Sequence, residues 1–172
     1  DEAAAHALHM AAAGGPPGNA PDLALIRSAT SRYQQFDRAV EDGFVPLSGC
    51  IDSPMGGMGI HYGRVDRIMD PAIDARAPEI LLYEPMRNGR MRLVGVEFMV
   101  AEGDWYGSGN TEPPAVAGRA FDAPNSEHPD PMLRDKYTLH VWTWQNNRLG
   151  MFAPFNPAVS CEHAPPEAAP GH

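Results

Sequence analysis

The first clear hydrophobic pattern in the chain runs from Pro21 to Gly43. Pro21 suits the first turn of a helix, and Gly43 can adopt the left-handed conformation that ends one. Between them, apolar side chains recur every three or four residues, which is the spacing of one helix face; they are Ile26, Ala29, Tyr33, Phe36 and Val40. The pattern therefore predicts an N-terminal helix whose apolar face must pack against another element.

After this helix the hydrophobic pattern changes to the short, alternating runs that are typical of β-strands. Four strands are predicted, at residues 59–64, 79–84, 91–100 and 137–144. Asn88 and Gly89 separate the second strand from the third, and this pair tolerates the positive φ angles of a tight hairpin turn. We therefore expect an α+β fold with long loops, in which the N-terminal helix packs on a curved antiparallel β-sheet.

The length and composition fit one folded unit. A chain of 172 residues suits a single domain, and 43% hydrophobic with 20% charged residues is enough to build a core. We expect a flexible lead-in at residues 1–18, a single α+β domain at 19–161 and a Pro-rich tail at 162–172. Residues 101–136 are dense in Gly, Pro and Asp, and this stretch is too long for a simple connection. It is predicted to be a functional loop or a wrapping excursion.

The charge excludes one class of partner. A net charge of −9 argues against nucleic acid, because proteins that bind it neutralise phosphates with clustered Lys and Arg. No apolar run approaches the ~18 residues that a membrane-spanning helix needs. The sequence does not identify a small-molecule or protein partner, and it is compatible with an oligomer.

The two cysteines indicate the kind of cellular compartment in which the protein resides. Cys50 and Cys161 are an even count, as one long-range disulfide in an oxidising compartment requires, and two buried free thiols are the alternative. The chain begins Asp-Glu-Ala-Ala-Ala without an initiator Met, which is typical of the end left by signal-peptide removal, although a trimmed chain would look the same. We therefore expect one disulfide and a secreted or periplasmic protein.

The third predicted strand carries an unexpected charge. Side chains alternate between the two faces of a strand, so Val94, Val96, Phe98 and Val100 form one row, and Leu93, Gly95, Glu97 and Met99 form the other. A carboxylate in so apolar a strand is destabilised by loss of water unless it is paired, protonated or bound to a metal. Glu97 is therefore a candidate ligand, and an ion pair with an arginine is the alternative.

Two histidines lie on other predicted strands, His61 on the first and His140 on the last. Neighbouring strands are only about 4.8 Å apart, so these side chains and Glu97 can converge if the faces match. Two imidazoles and a carboxylate are a minimal site for a divalent transition metal, namely Zn, Fe or Cu, with positions left open for water or a substrate. Hydrogen-bonded core or surface histidines are the alternative. Further candidate ligands or supporting groups are Glu84, His128 and Tyr62.

Several sequence segments, taken as an ordered set, resemble an uncharacterised family of secreted bacterial proteins across roughly residues 30–161. The segments are GMGIHY at 57–62, PEILLYE at 78–84, LVGVEF at 93–98, LHVWTW at 139–144 and GMFAPFNPAVSC at 150–161. The family brings no activity with it. The resemblance implies that its motif blocks include His61, Glu97, His140, Cys50 and Cys161, which favours the metal site and the disulfide. Arg148 and Leu149 depart from it, because a proline followed by a small residue is expected there.

The leading hypothesis is a secreted or periplasmic metal-binding protein with a mononuclear His/His/Glu site, whose open coordination positions would also allow catalysis. A second hypothesis is a noncatalytic structural or interaction subunit of an extracellular or periplasmic assembly, because Pro-rich termini and long excursions often lie over neighbouring molecules. A third is a pocket for a small apolar ligand or haem. Its predicted lining is Trp142, Trp144, Phe98 and Tyr83.

Overall fold

A computed structural model describes residues 20–166 of the chain. The lead-in predicted at 1–18 and the last residues of the predicted tail lie outside this range. The helices are α1 (Ala20–Thr30), α2 (Phe36–Glu41), α3 (Val65–Ile68) and α4 (Glu102–Gly107), with 3-10 turns at Ser31–Gln34, Arg87–Gly89 and Pro131–Leu133. The strands are β1 (Val45–Ser53), β2 (Gly56–Gly63), β3 (Ile80–Pro85), β4 (Met91–Ala101), β5 (Ala115–Val116), β6 (Arg119–Ala120) and β7 (Lys136–Val141).

The expected α+β architecture is confirmed. Five strands form an antiparallel sheet in the order β1-β2-β3-β4-β7, curled into a half-barrel, and the N-terminal helical region packs on one of its faces. Strands β5 and β6 form a separate hairpin. No helix in residues 20–166 combines the length and the apolar character that crossing a membrane requires.

The predicted continuous helix from Pro21 to Gly43 is wrong, because the helical region is interrupted. Helix α1 ends at Thr30, a 3-10 turn follows, and Gln35 has an extended backbone (φ −87°, ψ 103°) before α2 begins. The extended residue puts α2 out of phase with the first helix. As a result Ala39 is buried, whereas the predicted core residue Val40 is 52% exposed.

Strand β1 was not predicted, since its sequence VPLSGCIDS contains turn-forming residues rather than an alternating pattern. It lies at the edge of the sheet, where proline and irregular pairing are tolerated. Pro46 pairs with Tyr62 and Cys50 pairs with Ile60, so residues 47–49 of β1 stand opposite the single residue His61. This β-bulge brings the side chain of Ser48 to His61.

The hairpin between β3 and β4 forms as predicted, with positive φ at both Asn88 (63°) and Gly89 (73°). It also contains a bulge that the alternation did not predict, because Leu82 pairs with Gly95 whereas Tyr83 pairs with Leu93. The extra residue reverses the predicted faces of two side chains. Leu93 joins the core on the helix side, and Val94 joins the opposite face.

Both faces of the sheet are covered. The helix-side core contains Leu81, Tyr83, Val96, Phe98 and Leu139. The excursion at 101–136 closes part of this core with Val116, Ala117 and Phe121, and the Ala117 amide donates to the Asp22 carboxylate (3.1 Å). The excursion therefore packs onto its own domain.

The opposite face, hereafter the site face, carries a smaller apolar cluster of Ile80, Leu82, Val94, Met99, Trp142 and Val159. Residues 145–161, hereafter the return segment, lead back to this face after β7. Gly57 and Asn156 exchange two backbone hydrogen bonds, of 3.0 and 2.9 Å, between β2 and the return segment. The expected disulfide between Cys50 and Cys161 is confirmed, and it fastens the end of this segment to β1.

Candidate metal centre

The antiparallel register brings three polar side chains together on the site face. Glu97 on β4 pairs directly with His140 on β7, so their side chains are neighbours on one face. His61 on β2 pairs with Leu82 on β3, and Leu82 in turn pairs with Gly95, two residues before Glu97. Curvature of the sheet then allows His61 to reach Glu97 across β3.

The three side chains are close enough to one another to bind a single metal ion together. Nε2 of His140 lies 2.9 Å from Oε2 of Glu97, and Nε2 of His61 lies 3.3 Å from the same oxygen. One candidate ligand atom from each residue falls within 4.8 Å of the other two. Ligands about 2.1 Å from a common ion and about 90–110° apart would be separated by about 3.0–3.4 Å. The two distances in this structure fit a shared ion.

Burial isolates this cluster from solvent. The exposed fractions of the side chains are 10% for His61, 4% for Glu97 and 7% for His140. A buried carboxylate is costly unless opposite charge or hydrogen bonds compensate for the lost water. No arginine lies within ion-pair distance of Glu97 among residues 20–166, so the compensation must come from the histidines or from a bound cation.

A hydrogen bond from His61 determines which of its nitrogens faces Glu97. The Ser48 hydroxyl has one hydrogen, which it donates to the Gly49 carbonyl (2.7 Å). It therefore accepts from Nδ1–H of His61 (3.1 Å). In the neutral imidazole this leaves the lone pair of Nε2 towards Glu97, as required of a metal-binding histidine.

The close nitrogen and oxygen atoms are not joined by hydrogen bonds. Within residues 20–166, Glu97 Oε2 and both ring nitrogens of His140 are buried without a hydrogen-bond partner of good geometry. Buried polar atoms in native proteins nearly always have partners. Converging polar atoms that are buried and bond to each other poorly could hold a metal ion.

Electrostatics couples the members of the cluster. Burial alone would raise the pKa of Glu97, but the neighbouring imidazoles, His140 foremost, outweigh burial and hold it below its usual range. Burial alone would lower the pKa of His140, and the Glu97 carboxylate outweighs this effect and raises it. In both shifts the charge of the partner is the largest effect that opposes burial. The site therefore stabilises positive charge beside Glu97, whether a proton or a metal ion supplies it.

Aromatic and apolar groups form the walls of the site. The Trp142 ring stacks on His140 with centroids 6.4 Å apart and planes 15° apart. A side chain at Gly95 would collide with the Val141 carbonyl and the Trp142 ring, so glycine is required for this packing. The Trp142 indole N–H donates to the Ala153 carbonyl (2.6 Å), which ties the wall to the return segment.

The other three candidate ligands lie elsewhere. Tyr62 points to the helix side and packs against Phe36 and Tyr83, because it neighbours His61 along the strand and thus faces the other way. The carboxylate of Glu84 is occupied by the Arg92 guanidinium (2.9 Å) and the Ser160 amide (2.7 Å). His128 is half-buried in the excursion, where its Nδ1 accepts from the Asp130 amide (3.0 Å). The structure brings none of them to the cluster.

The predicted apolar or haem pocket does not form. Tyr83 and Phe98 are fully buried in the helix-side core, whereas Trp142 belongs to the site face. Strand β7 ends at Val141, so Trp144 does not share the face of Trp142 as the alternation predicted. It packs instead on the helix side, where its indole N–H donates to Thr30.

Two groups in or near the site were missed in the sequence. Ser48 lies in the unpredicted strand β1. Glu79, just before β3, is 1% exposed and accepts a hydrogen bond from the Met99 amide (3.1 Å). Burial raises the pKa of Glu79 to about 8, so this carboxyl group is protonated at neutral pH. As the first residue of the strand predicted at 79–84, Glu79 gave no signal of burial.

Comparisons with known proteins return no family model, no curated protein and no solved structure that matches this chain. The functional argument therefore depends on the geometry of the site itself.

Proposed function

We propose that this protein is a secreted or periplasmic metal-binding protein with one divalent transition-metal site. The ligands are Nε2 of His61, Oε2 of Glu97 and Nε2 of His140. The observation that carries the proposal is the convergence of these three buried side chains, in which Glu97 Oε2 and His140 Nε2 lack a hydrogen-bond partner and Ser48 fixes the tautomer of His61. Two imidazoles and one carboxylate suit Zn, Fe or Cu rather than Mg or Ca, which prefer oxygen ligands.

The fold supports a stabilising role for the ion. The three ligands come from β2, β4 and β7, so a bound metal would join strands that are not all neighbours in the sheet. Binding to the native state alone shifts the folding equilibrium towards it. Three protein ligands leave at least one coordination position free, so the same centre has room for water or a small ligand at the metal.

The disulfide supports the proposed location. Disulfides form and persist in oxidising compartments and are rare in the cytosol. Cys50 and Cys161 are bonded, and residues 20–166 contain no free cysteine. A secreted or periplasmic protein of this kind would acquire both its disulfide and its metal outside the cytosol.

The experiment is a Co²⁺ titration of the chelator-treated protein, followed by visible absorption, which reports coordination by nitrogen and oxygen ligands. We expect saturation at one ion per chain. Substituting His61→Ala or His140→Ala should weaken binding by more than the roughly 10–100-fold that loss of a supporting group costs. His128→Ala is the matched control, because this half-buried histidine lies outside the cluster and its loss should leave metal binding unchanged. Equal effects of all three substitutions would contradict the assignment.

A further inference from the structure

A second site of different character lies at the turn of the β3–β4 hairpin. A cavity of about 640 Å³ opens there, lined by Arg87, Arg90, Arg92, Met91, Trp144 and His163 among others; it is hereafter the arginine cleft. Met91 and Trp144 pack against the helix-side core, on the side of the sheet opposite to the metal cluster. The cleft is thus separate from the proposed metal centre.

The cleft concentrates positive charge on an acidic protein. Three of the 13 basic residues of the chain fall within residues 87–92, and no acidic residue occurs from 85 to 96, although the net charge is −9. Arg92 is paired with Glu84 at 2.9 Å. Arg87 and Arg90 have no carboxylate within 4.0 Å among residues 20–166. A guanidinium without a counter-ion in a concave site attracts anions.

The hairpin turn fixes the backbone that carries these two arginines. The Met86 amide donates to the Arg90 carbonyl (2.7 Å) and closes the turn. Asn88 and Gly89 adopt the positive φ angles that this tight geometry needs. The backbone from which Arg87 and Arg90 extend is therefore fixed before a ligand arrives, which reduces the ordering cost of binding.

The ring of Trp144 forms a flat wall of the cleft, and its contacts fix its position. The Trp144 indole N–H donates to the Thr30 hydroxyl (3.0 Å), and the Arg27 guanidinium lies 4.3 Å from the ring centroid. Arg27 covers one face of this ring, so only the opposite face can offer an apolar surface to a planar ligand. The cleft combines this surface with two unpaired guanidinium groups.

We propose that the arginine cleft binds a small organic oxyanion with a planar body. Its carboxylate or phosphate groups pair with Arg87 and Arg90, and its planar part lies against Trp144. Guanidinium groups bind both kinds of oxyanion through two parallel hydrogen bonds. The cavity volume is in the range of small-molecule sites, about 300–1,000 Å³.

The test is isothermal titration calorimetry on the metal-free protein at low ionic strength. The probes are benzene-1,3,5-tricarboxylate and phenyl phosphate, which distinguish a carboxylate from a phosphate preference, and the neutral benzene-1,3,5-trimethanol. We expect one site per chain for at least one of the anions and none for the neutral compound. Arg87→Ala and Arg90→Ala should each weaken binding about tenfold, as the loss of a charge-assisted contact does.

Two further variants keep the outcome decisive. Arg87→Lys retains the positive charge but loses the planar guanidinium that makes two parallel hydrogen bonds. Its affinity for the anion should therefore lie between those of the wild type and Arg87→Ala. Arg148→Ala is the matched control, because this exposed arginine lines a different depression and should leave binding unchanged. The proposal is overturned if neither anion binds saturably, if the neutral compound binds as well, or if Arg148→Ala weakens binding as much as Arg87→Ala.

Discussion

At the scale of single residues, the tautomer of His61 is the most informative feature of the site. Ser48 accepts from Nδ1–H and so directs the Nε2 lone pair at a carboxylate oxygen 3.3 Å away. Two lone pairs this close repel each other unless a cation lies between them. The contact is therefore unfavourable in an empty neutral site and favourable in a metal-loaded one.

Ser48→Ala should lower metal affinity about 10–100-fold without changing the stoichiometry of one ion per chain, because the hydroxyl orients a ligand but does not bind the metal. Competition with a chromophoric chelator measures this affinity. Ser31→Ala, which removes an exposed hydroxyl in the helical region, serves as the control. Unchanged affinity in Ser48→Ala would show that the serine does not position His61.

Glu79 gives the fold a distinct pH dependence. Its pKa is about 8 in the folded protein against an ordinary value of 4.5. Between pH 4.5 and pH 8 the folded state holds a proton on Glu79 that the unfolded state has released. The contribution of Glu79 to the free energy of unfolding is therefore complete below pH 4.5 and falls as the pH rises towards 8. The cause is burial, which disfavours the carboxylate.

Glu79→Gln removes this titration and keeps the shape of the side chain. The stability of the variant relative to the wild type should therefore increase from pH 5 to pH 8, by on the order of a few kcal/mol. Urea unfolding of the metal-free proteins across this range measures the difference. Glu112→Gln, at an exposed position, is the control. If the stability difference between Glu79→Gln and the wild type were as independent of pH as that of the control, the assigned pKa shift would be contradicted.

At the scale of elements, β-bulges between paired strands decide which side chains face the metal cluster. Alternation along the predicted strands singled out Glu97 and His140 as candidates, and the observed register places them on one face. It could not predict the bulge that reverses Leu93 and Val94, nor the bulge that brings Ser48 to His61, because an inserted residue has no periodic signature. For the same reason the extended residue Gln35, which carries no helix-breaking side chain, left the interruption of the first helix unpredicted.

The return segment packs against β2 so closely that a small side chain should disturb it. A Cβ atom at Gly57 would lie 2.7 Å from the Val159 carbonyl oxygen, a backbone atom that cannot rotate away. Gly57→Ala should therefore lower the free energy of unfolding by about 1–3 kcal/mol, as overpacking does. Chemical denaturation measures this loss.

Gly103→Ala is the matched control for this change. A Cβ atom there meets nothing within 4 Å, and alanine is the better helix former within α4. The control should thus be neutral or slightly stabilising. If the two alanine variants were equally stable, the return segment would not be seated on β2 as described.

At the scale of the whole molecule, the fold class was predictable and the covering of the site face was not. The helix spacing, the strand runs and the Asn88-Gly89 turn are local signals, and they indicated the correct architecture. The return segment has little secondary structure, and long-range contacts place it, namely the Gly57 and Asn156 bridge and the Cys50 disulfide. Sequence periodicity carries no information about such contacts.

The same reasoning separates the two proposed sites. The metal cluster could be anticipated because a charged residue in an apolar strand is conspicuous. The arginine cleft could not, since three exposed arginines in a hairpin turn look like an ordinary solvated loop until the fold places Trp144 and His163 beside them.

The most direct test of the central claim is elemental analysis of the protein purified without added metal or a His tag, beside its His140→Ala and His128→Ala variants. The account predicts close to one transition-metal ion per chain in the wild type and in His128→Ala, and almost none in His140→Ala. A wild-type protein that holds no metal even after reconstitution with Zn²⁺, Fe²⁺ and Cu²⁺, or a His140→Ala variant that retains it, would contradict the metal centre.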